Sequence, residues 1–119
     1  MSKFVLYARI DGGWADFAEF DDKEGFVASI ERYFDMKRAE GKELDDADAV
    51  LGLFAGPCLV LRKKFGLVKR ALSRHSEIGF AAELADAIDA AKGEGADAVG
   101  WGADDMEDVP PYDFGDMVV

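Results

Sequence analysis

The sequence predicts an α+β fold: an N-terminal antiparallel β-hairpin, with scope for a third short strand, packed against three or four helices and followed by an acidic C-terminal tail. Three observations predict it. Residues 3–10, KFVLYARI, alternate with period two, the pattern of a half-buried strand. Asp11-Gly12-Gly13 follows at once, and these residues accept the positive φ that a tight hairpin turn needs. Beyond residue 20 the apolar spacing changes to that of helices. A lone hairpin is marginal in water, so Phe4, Leu6 and Ile10 require helices laid over them.

In the first strand, Phe4, Leu6, Ala8 and Ile10 share one face, and Lys3, Val5, Tyr7 and Arg9 the other. Residues 14–20 alternate in part, with Trp14, Asp16, Ala18 and Phe20 opposite Ala15, Phe17 and Glu19. Asp21 or Asp22 is placed to cap a helix over 23–40 that ends at Gly41. Its apolar stripe is Phe26, Ile30, Tyr33, Phe34 and the stem of Lys37, widened by Val27. Asp45 or Asp46 caps a second, shorter helix carrying Ala47, Val50, Leu51 and Phe54, which Gly56-Pro57 ends.

The segment 57–75 has two readings. Leu61, Phe65, Val68, Leu72 and His75 fit one helix with Pro57 in its first turn. Gly66 interrupts that pattern, and Cys58 to Leu61 also reads as a short buried strand; the helix is the favoured reading. Ser76 is placed to cap a further helix with Phe80, Leu84, Ile88 and Ala91 on one side, stopping near Gly93-Glu94-Gly95. Residues 96–101 can return as a short strand beside the hairpin. Pro110-Pro111 excludes regular structure locally. With no internal repeat and no linker, residues 1–102 are expected to form one domain and 103–119 an acidic tail, packed or mobile.

A chain of 119 residues, half of them apolar, can bury a core without staples. Cys58 is the only cysteine, so no intramolecular disulfide forms. Met1-Ser2-Lys3 leads into the first strand without the apolar run of a signal peptide. The longest unbroken apolar run is residues 4–8, against the ~20 that a membrane span needs. A cytoplasmic location without membrane association is the expectation.

Charge is more informative. Twenty-five acidic and 14 basic side chains give a net charge of −11. Such a body repels nucleic acid and anionic lipid at long range and attracts basic surfaces. The distribution is uneven: residues 62–74 hold Arg62, Lys63, Lys64, Lys69, Arg70 and Arg74 and no acid, whereas 77–119 hold twelve acids against Lys92 alone.

Little in the chain points to catalysis. No glycine cluster has the pattern of a phosphate loop, and Gly93-Glu94-Gly95 carries an acid that repels phosphate. One histidine and one cysteine are too few for a transition-metal site. The acids at Glu43, Asp45, Asp46, Asp48 and at Asp104, Asp105, Glu107, Asp108 lack the spacing of a calcium loop. His75 is too close in sequence to Ser73 and Ser76 to face either on a helix, and its place near a helix end suits a structural or capping role. Cys58, among Pro57, Leu59 and Val60, reads as a core residue. Acids are abundant, but most of them fall on faces expected to be solvated, whereas acid–base work needs a desolvated carboxyl. The expectation is a protein that is not an enzyme, with no catalytic residue, cofactor or metal.

The acidic surface remains. Carboxylates spaced along helix faces and a tail can imitate the charge array of a nucleic-acid backbone and occupy the basic groove of a protein that handles nucleic acid. The candidate partner-binding residues are Asp45, Asp46 and Asp48, then Asp104, Asp105, Glu107, Asp108, Tyr112, Asp113, Phe114 and Asp116, with the two aromatics as anchors. In size and charge the chain resembles small inhibitors carried by phages and mobile elements, including anti-CRISPR and anti-restriction proteins, and also toxin-immunity proteins. No motif is shared with them, so no residue role carries over. The expected partner is the basic surface of a protein or nucleoprotein complex. Direct nucleic-acid binding through 62–74 is disfavoured by the net charge. The alternative is a toxin-immunity protein or a self-associating structural or adaptor subunit, a homo-oligomer that sets the basic segment against the acidic tail.

Overall fold

Asp11 and Gly12 both take positive φ, 54° and 81°, and this closes the hairpin with a two-residue turn whose twist suits the flanking strands. In the computed structural model, which describes residues 3–56 and 58–101, the order is β1 (Phe4–Ile10), β2 (Gly13–Phe20), α1 (Lys23–Ala39), α2 (Asp46–Leu53), β3 (Cys58–Leu61), a 3-10 turn (Arg62–Lys64), α3 (Phe65–Arg74), α4 (Ala81–Gly93) and β4 (Ala98–Trp101). The four strands form one sheet of order β2-β1-β4-β3 in which every neighbouring pair is antiparallel. The fold is α+β, as the sequence predicts.

Alternation in the hairpin holds with one break. Leu6 pairs with Ala18 but Tyr7 pairs with Asp16, so Phe17 is the extra residue of a β-bulge. Trp14 and Asp16 therefore face with Arg9 and Tyr7, while Ala18 and Phe20 face with Leu6 and Phe4. The two halves of β2 are out of phase, which is why its sequence alternates only in part.

Helix ends follow local chemistry. The Asp22 carboxylate caps α1 by accepting from the Gly25 N–H at 3.0 Å. At the other end Gly41 takes φ 69°, and the N–H groups of Gly41 and Lys42 reach back to the carbonyls of Arg38 and Lys37. Helix α4 ends the same way through Gly95 and Ala96. Both are Schellman closures.

Two expectations are corrected. Residues 57–75 are not one helix: Cys58–Leu61 form β3, the minor reading, and the helix begins at Phe65. β3 pairs along its whole length with β4, from Cys58 against Trp101 to Leu61 against Ala98, and this distant ladder overrides the local helical spacing. Ser76 does not cap α4 either. The chain makes turns from His75 to Phe80, and α4 starts at Ala81 without a side-chain cap.

One core lies between the sheet and the helices. Phe4, Leu6, Ala8, Cys58, Val60, Val99 and Trp101 supply the sheet side. All four helices contribute, among them Phe26 and Ile30, Val50 and Leu51, Phe65 and Val68, and Leu84 and Ile88. Phe4 is the hub, with ring centroids 5.5–6.4 Å from those of Phe20, Phe26, Phe54, Phe80 and Trp101. Trp101 stacks on Phe54 at 4.1 Å, and its indole N–H donates to the Leu53 carbonyl at 3.3 Å. Cys58 is buried in this core, and burial pushes its thiol pKa up, away from a reactive thiolate.

Candidate protein-binding surface

The N-terminus of α2 is where three helices meet, and the acids predicted there have separate fates. Asp45 is the N-cap. Its carboxylate accepts from the Asp48 N–H at 2.9 Å, the Asp48 carboxylate accepts from the Asp45 N–H at 3.0 Å, and the two close a capping box. Asp45 stays exposed and pairs with Arg74, at the end of α3, at 3.2 Å. Asp46 begins the helix, faces solvent and makes no ion pair among the described residues.

Asp48 corrects the expectation that it meets a partner. It is 1% exposed, so a docking surface cannot reach its carboxylate. Tyr33 of α1 donates to Asp48 Oδ1 at 2.7 Å, and Lys37, one turn on, sits 3.3 Å from Oδ2. His75, the C-cap of α3, places Nε2 3.2 Å from Oδ1 without an aligned hydrogen bond, and its ring meets Tyr33 edge-on at 4.9 Å. Burial opposes the charged carboxylate. The Asp45 N–H, the Tyr33 hydroxyl and the Lys37 ammonium outweigh it and lower the Asp48 pKa to about 2. Burial and the bond to Asp48 raise the Tyr33 phenol to about 12. Asp48 is thus an ionised tie joining α1, α2 and the end of α3.

That cluster is what sequence reasoning missed. The spacing Asp45-x-x-Asp48 ahead of an apolar run carried a signal for the capping box. Nothing local to Tyr33, Lys37 or His75 indicates that they converge on it.

The acids that do face water lie on several elements. At the entry to α2, Glu43, Asp45 and Asp46 flank Leu44 in sequence, and Leu44 is 51% exposed. On α4, Glu83, Asp86 and Asp89 recur at three-residue intervals on the outward side, while Leu84, Ala85 and Ile88 point inward. Asp89 pairs with Lys69 at 3.3 Å, joining α4 to α3.

The basic segment divides likewise. Arg62 reaches the Lys92 carbonyl, Lys69 pairs with Asp89 and Arg74 with Asp45. Lys63, Lys64 and Arg70 make no ion pair among the described residues. Of the aromatics weighed as anchors, Trp101 belongs to the core, and Trp14 lies half-buried beneath Arg9, whose guanidinium carbon is 5.6 Å from its ring. Asp104, Asp105, Glu107, Asp108, Tyr112, Asp113, Phe114 and Asp116 lie outside the described residues.

An open cleft of about 400 Å³ lies between the start of α1 and the α3–α4 turn, edged by Asp21, Asp22, Ser29, Arg32 and Phe80. Its polar groups are partly spent on one another: Arg32 donates to Ser29 and Ser29 to the Gly25 carbonyl. Among the described residues, no three His, Cys, Asp or Glu side chains converge as metal ligands, and no helix is long and apolar enough to cross a membrane. No family model, curated protein or solved structure matches the chain.

Proposed function

We propose that this chain is an acidic, non-enzymatic, cytoplasmic binding protein that inhibits a nucleic-acid-handling complex by occupying its basic surface. The reading is of the phage or mobile-element inhibitor type. One observation carries it: in a chain of net charge −11, every described carboxylate except that of Asp48 is exposed. Among the described residues Asp48 is the only buried carboxylate, and it is balanced by its own partners, so the other described acids present their charge to solvent. The carboxylates around Leu44 and along α4 offer spaced anionic sites beside an apolar contact, a pairing that basic grooves with apolar floors accept. Asp46, with Asp104, Asp105, Glu107, Asp108, Asp113 and Asp116, supplies attraction in this reading, and Tyr112 and Phe114 supply anchors.

The test is the joint replacement Asp104→Asn, Asp105→Asn, Glu107→Gln and Asp108→Asn. Association with the captured partner should slow about tenfold at low salt and its salt dependence should flatten. Unchanged kinetics would remove that segment from the interface.

One observation favours a second reading, a self-associating adaptor. Lys63, Lys64 and Arg70 are cations without ion-pair partners among the described residues, in a chain whose net charge is negative. A mass at low salt that does not change with concentration would dispose of it.

A further inference from the structure

The second face of the sheet is apolar at its centre, with Arg9 and Asp16 beside it. Strand register sets Tyr7 across from Gly100, and Gly100 across from Leu59, with Ala98 beside Arg9 and Leu61. These side chains point away from the helices. Phe4, Leu6, Ala8, Val60 and Val99 alternate with them and belong to the core under the helices, whereas Tyr7, Leu59 and Ala98 do not. Yet Tyr7 is 5% exposed, Leu59 7% and Ala98 0%. A tyrosine ring lying over a glycine on a bare sheet would stay open to water. All four helices contribute to the core on the opposite face, so no described helix covers these three residues, which are flanked by strand neighbours such as Arg9, Trp14 and Leu61.

We infer that this face is the docking site of the chain's own residues 102–119. The inference does not rest on the charge-based reading above, and it assigns Tyr112 and Phe114 to this face in place of the partner anchors named there. That segment follows Trp101, the last residue of β4, a central strand of the sheet, so it starts at the edge of the face itself. It has 18 residues, with a reach of up to about 60 Å when extended, whereas four strands span roughly 15–20 Å. Its sequence supplies what the face lacks: Met106, Val109, Tyr112, Phe114 and Met117 are interspersed with the acids. Pro110-Pro111 donates no N–H, which disfavours ladder pairing at the β3 edge and favours a path across the side chains. Docked by its apolar residues, the segment turns its carboxylates to solvent as an ordered anionic strip.

The experiment is NMR on the full chain, using an equimolar mixture of isotope-labelled and unlabelled protein to separate contacts within a chain from contacts between chains. Intramolecular NOEs from the Tyr7 ring and Leu59 methyls to side chains of residues 106–117 are expected. They should be lost in the variant Tyr112→Ser, Phe114→Ser, while the NOEs of Phe4 to Trp101 persist as the control for folding. NOEs to Tyr7 and Leu59 that arise only between chains would overturn the inference in favour of a second copy. Absence of any contact from 102–119 to this face would overturn it outright. No partner enters the measurement, so its failure is separate from failure of the inhibitor reading.

Discussion

Asp48 shows how a single residue can belong to an acidic protein and yet not to its acidic surface. Its folded pKa of about 2 lies below the ordinary 3.8. A depressed carboxylate stabilises the fold above its unfolded pKa, and the contribution is lost as pH falls through the folded value. The window is therefore roughly pH 4 down to pH 2, and the contribution above it is about 2 kcal/mol, because the side chain is almost wholly buried. Asp48→Asn should lower stability at neutral pH by about 1–3 kcal/mol and flatten the acid limb of the stability profile. Denaturant titrations across that range check it; parallel profiles for both proteins would mean that the ionised carboxylate is not the tie. Gly79 is a second residue-scale test. It has φ +50°, and a Cβ there would stand 2.5 Å from Cδ1 of the buried Phe26 ring. Gly79→Ala should cost about 1–3 kcal/mol, read as a lowered melting temperature.

Among the elements, legibility in the sequence followed the range of the cause. The hairpin, α1, α2 and α4 are specified by residues next to one another: Asp11-Gly12 at the turn, Asp22 and Asp45 at the caps, Gly41 and Gly95 at the ends. β3 was misjudged because its cause is remote. Cys58–Leu61 become a strand by pairing with β4, and no window around them contains Val99 or Trp101. The bulge at Phe17 and the late start of α4 were hidden in the same way, since each answers to packing. For the candidate surface, Asp45 and Asp46 were legible as exposed acids, while Asp48 was not legible as a buried one, because Tyr33, Lys37 and His75 come from two other elements. The hub at Phe4 gives the element-scale test. It joins β1 to rings from β2, α1, the end of α2, the α3–α4 turn and β4, so Phe4→Ala should cost about 3–5 kcal/mol. Chemical denaturation measures it, and a cost below about 1 kcal/mol would show that the cluster repacks without its centre.

At the scale of the whole molecule, charge and packing are arranged independently. One apolar core is closed by four helices, and every described carboxylate except that of Asp48 is left exposed outside it. Long-range attraction of such a body to a basic surface is screened within about 10 Å at 0.1 M salt, so binding driven by it must weaken as salt rises. The most direct measurement is competition. Tagged protein is used to capture its partner from a nuclease-treated bacterial lysate at low salt, and the captured complex is then titrated with nucleic acid. The inhibitor reading predicts a basic, nucleic-acid-binding complex that is released by salt, displaced by nucleic acid, and captured poorly when Asp46, Asp104, Asp105, Glu107 and Asp108 are replaced by Asn or Gln. A partner that resists high salt, binds that variant equally well and holds nucleic acid at the same time would contradict it.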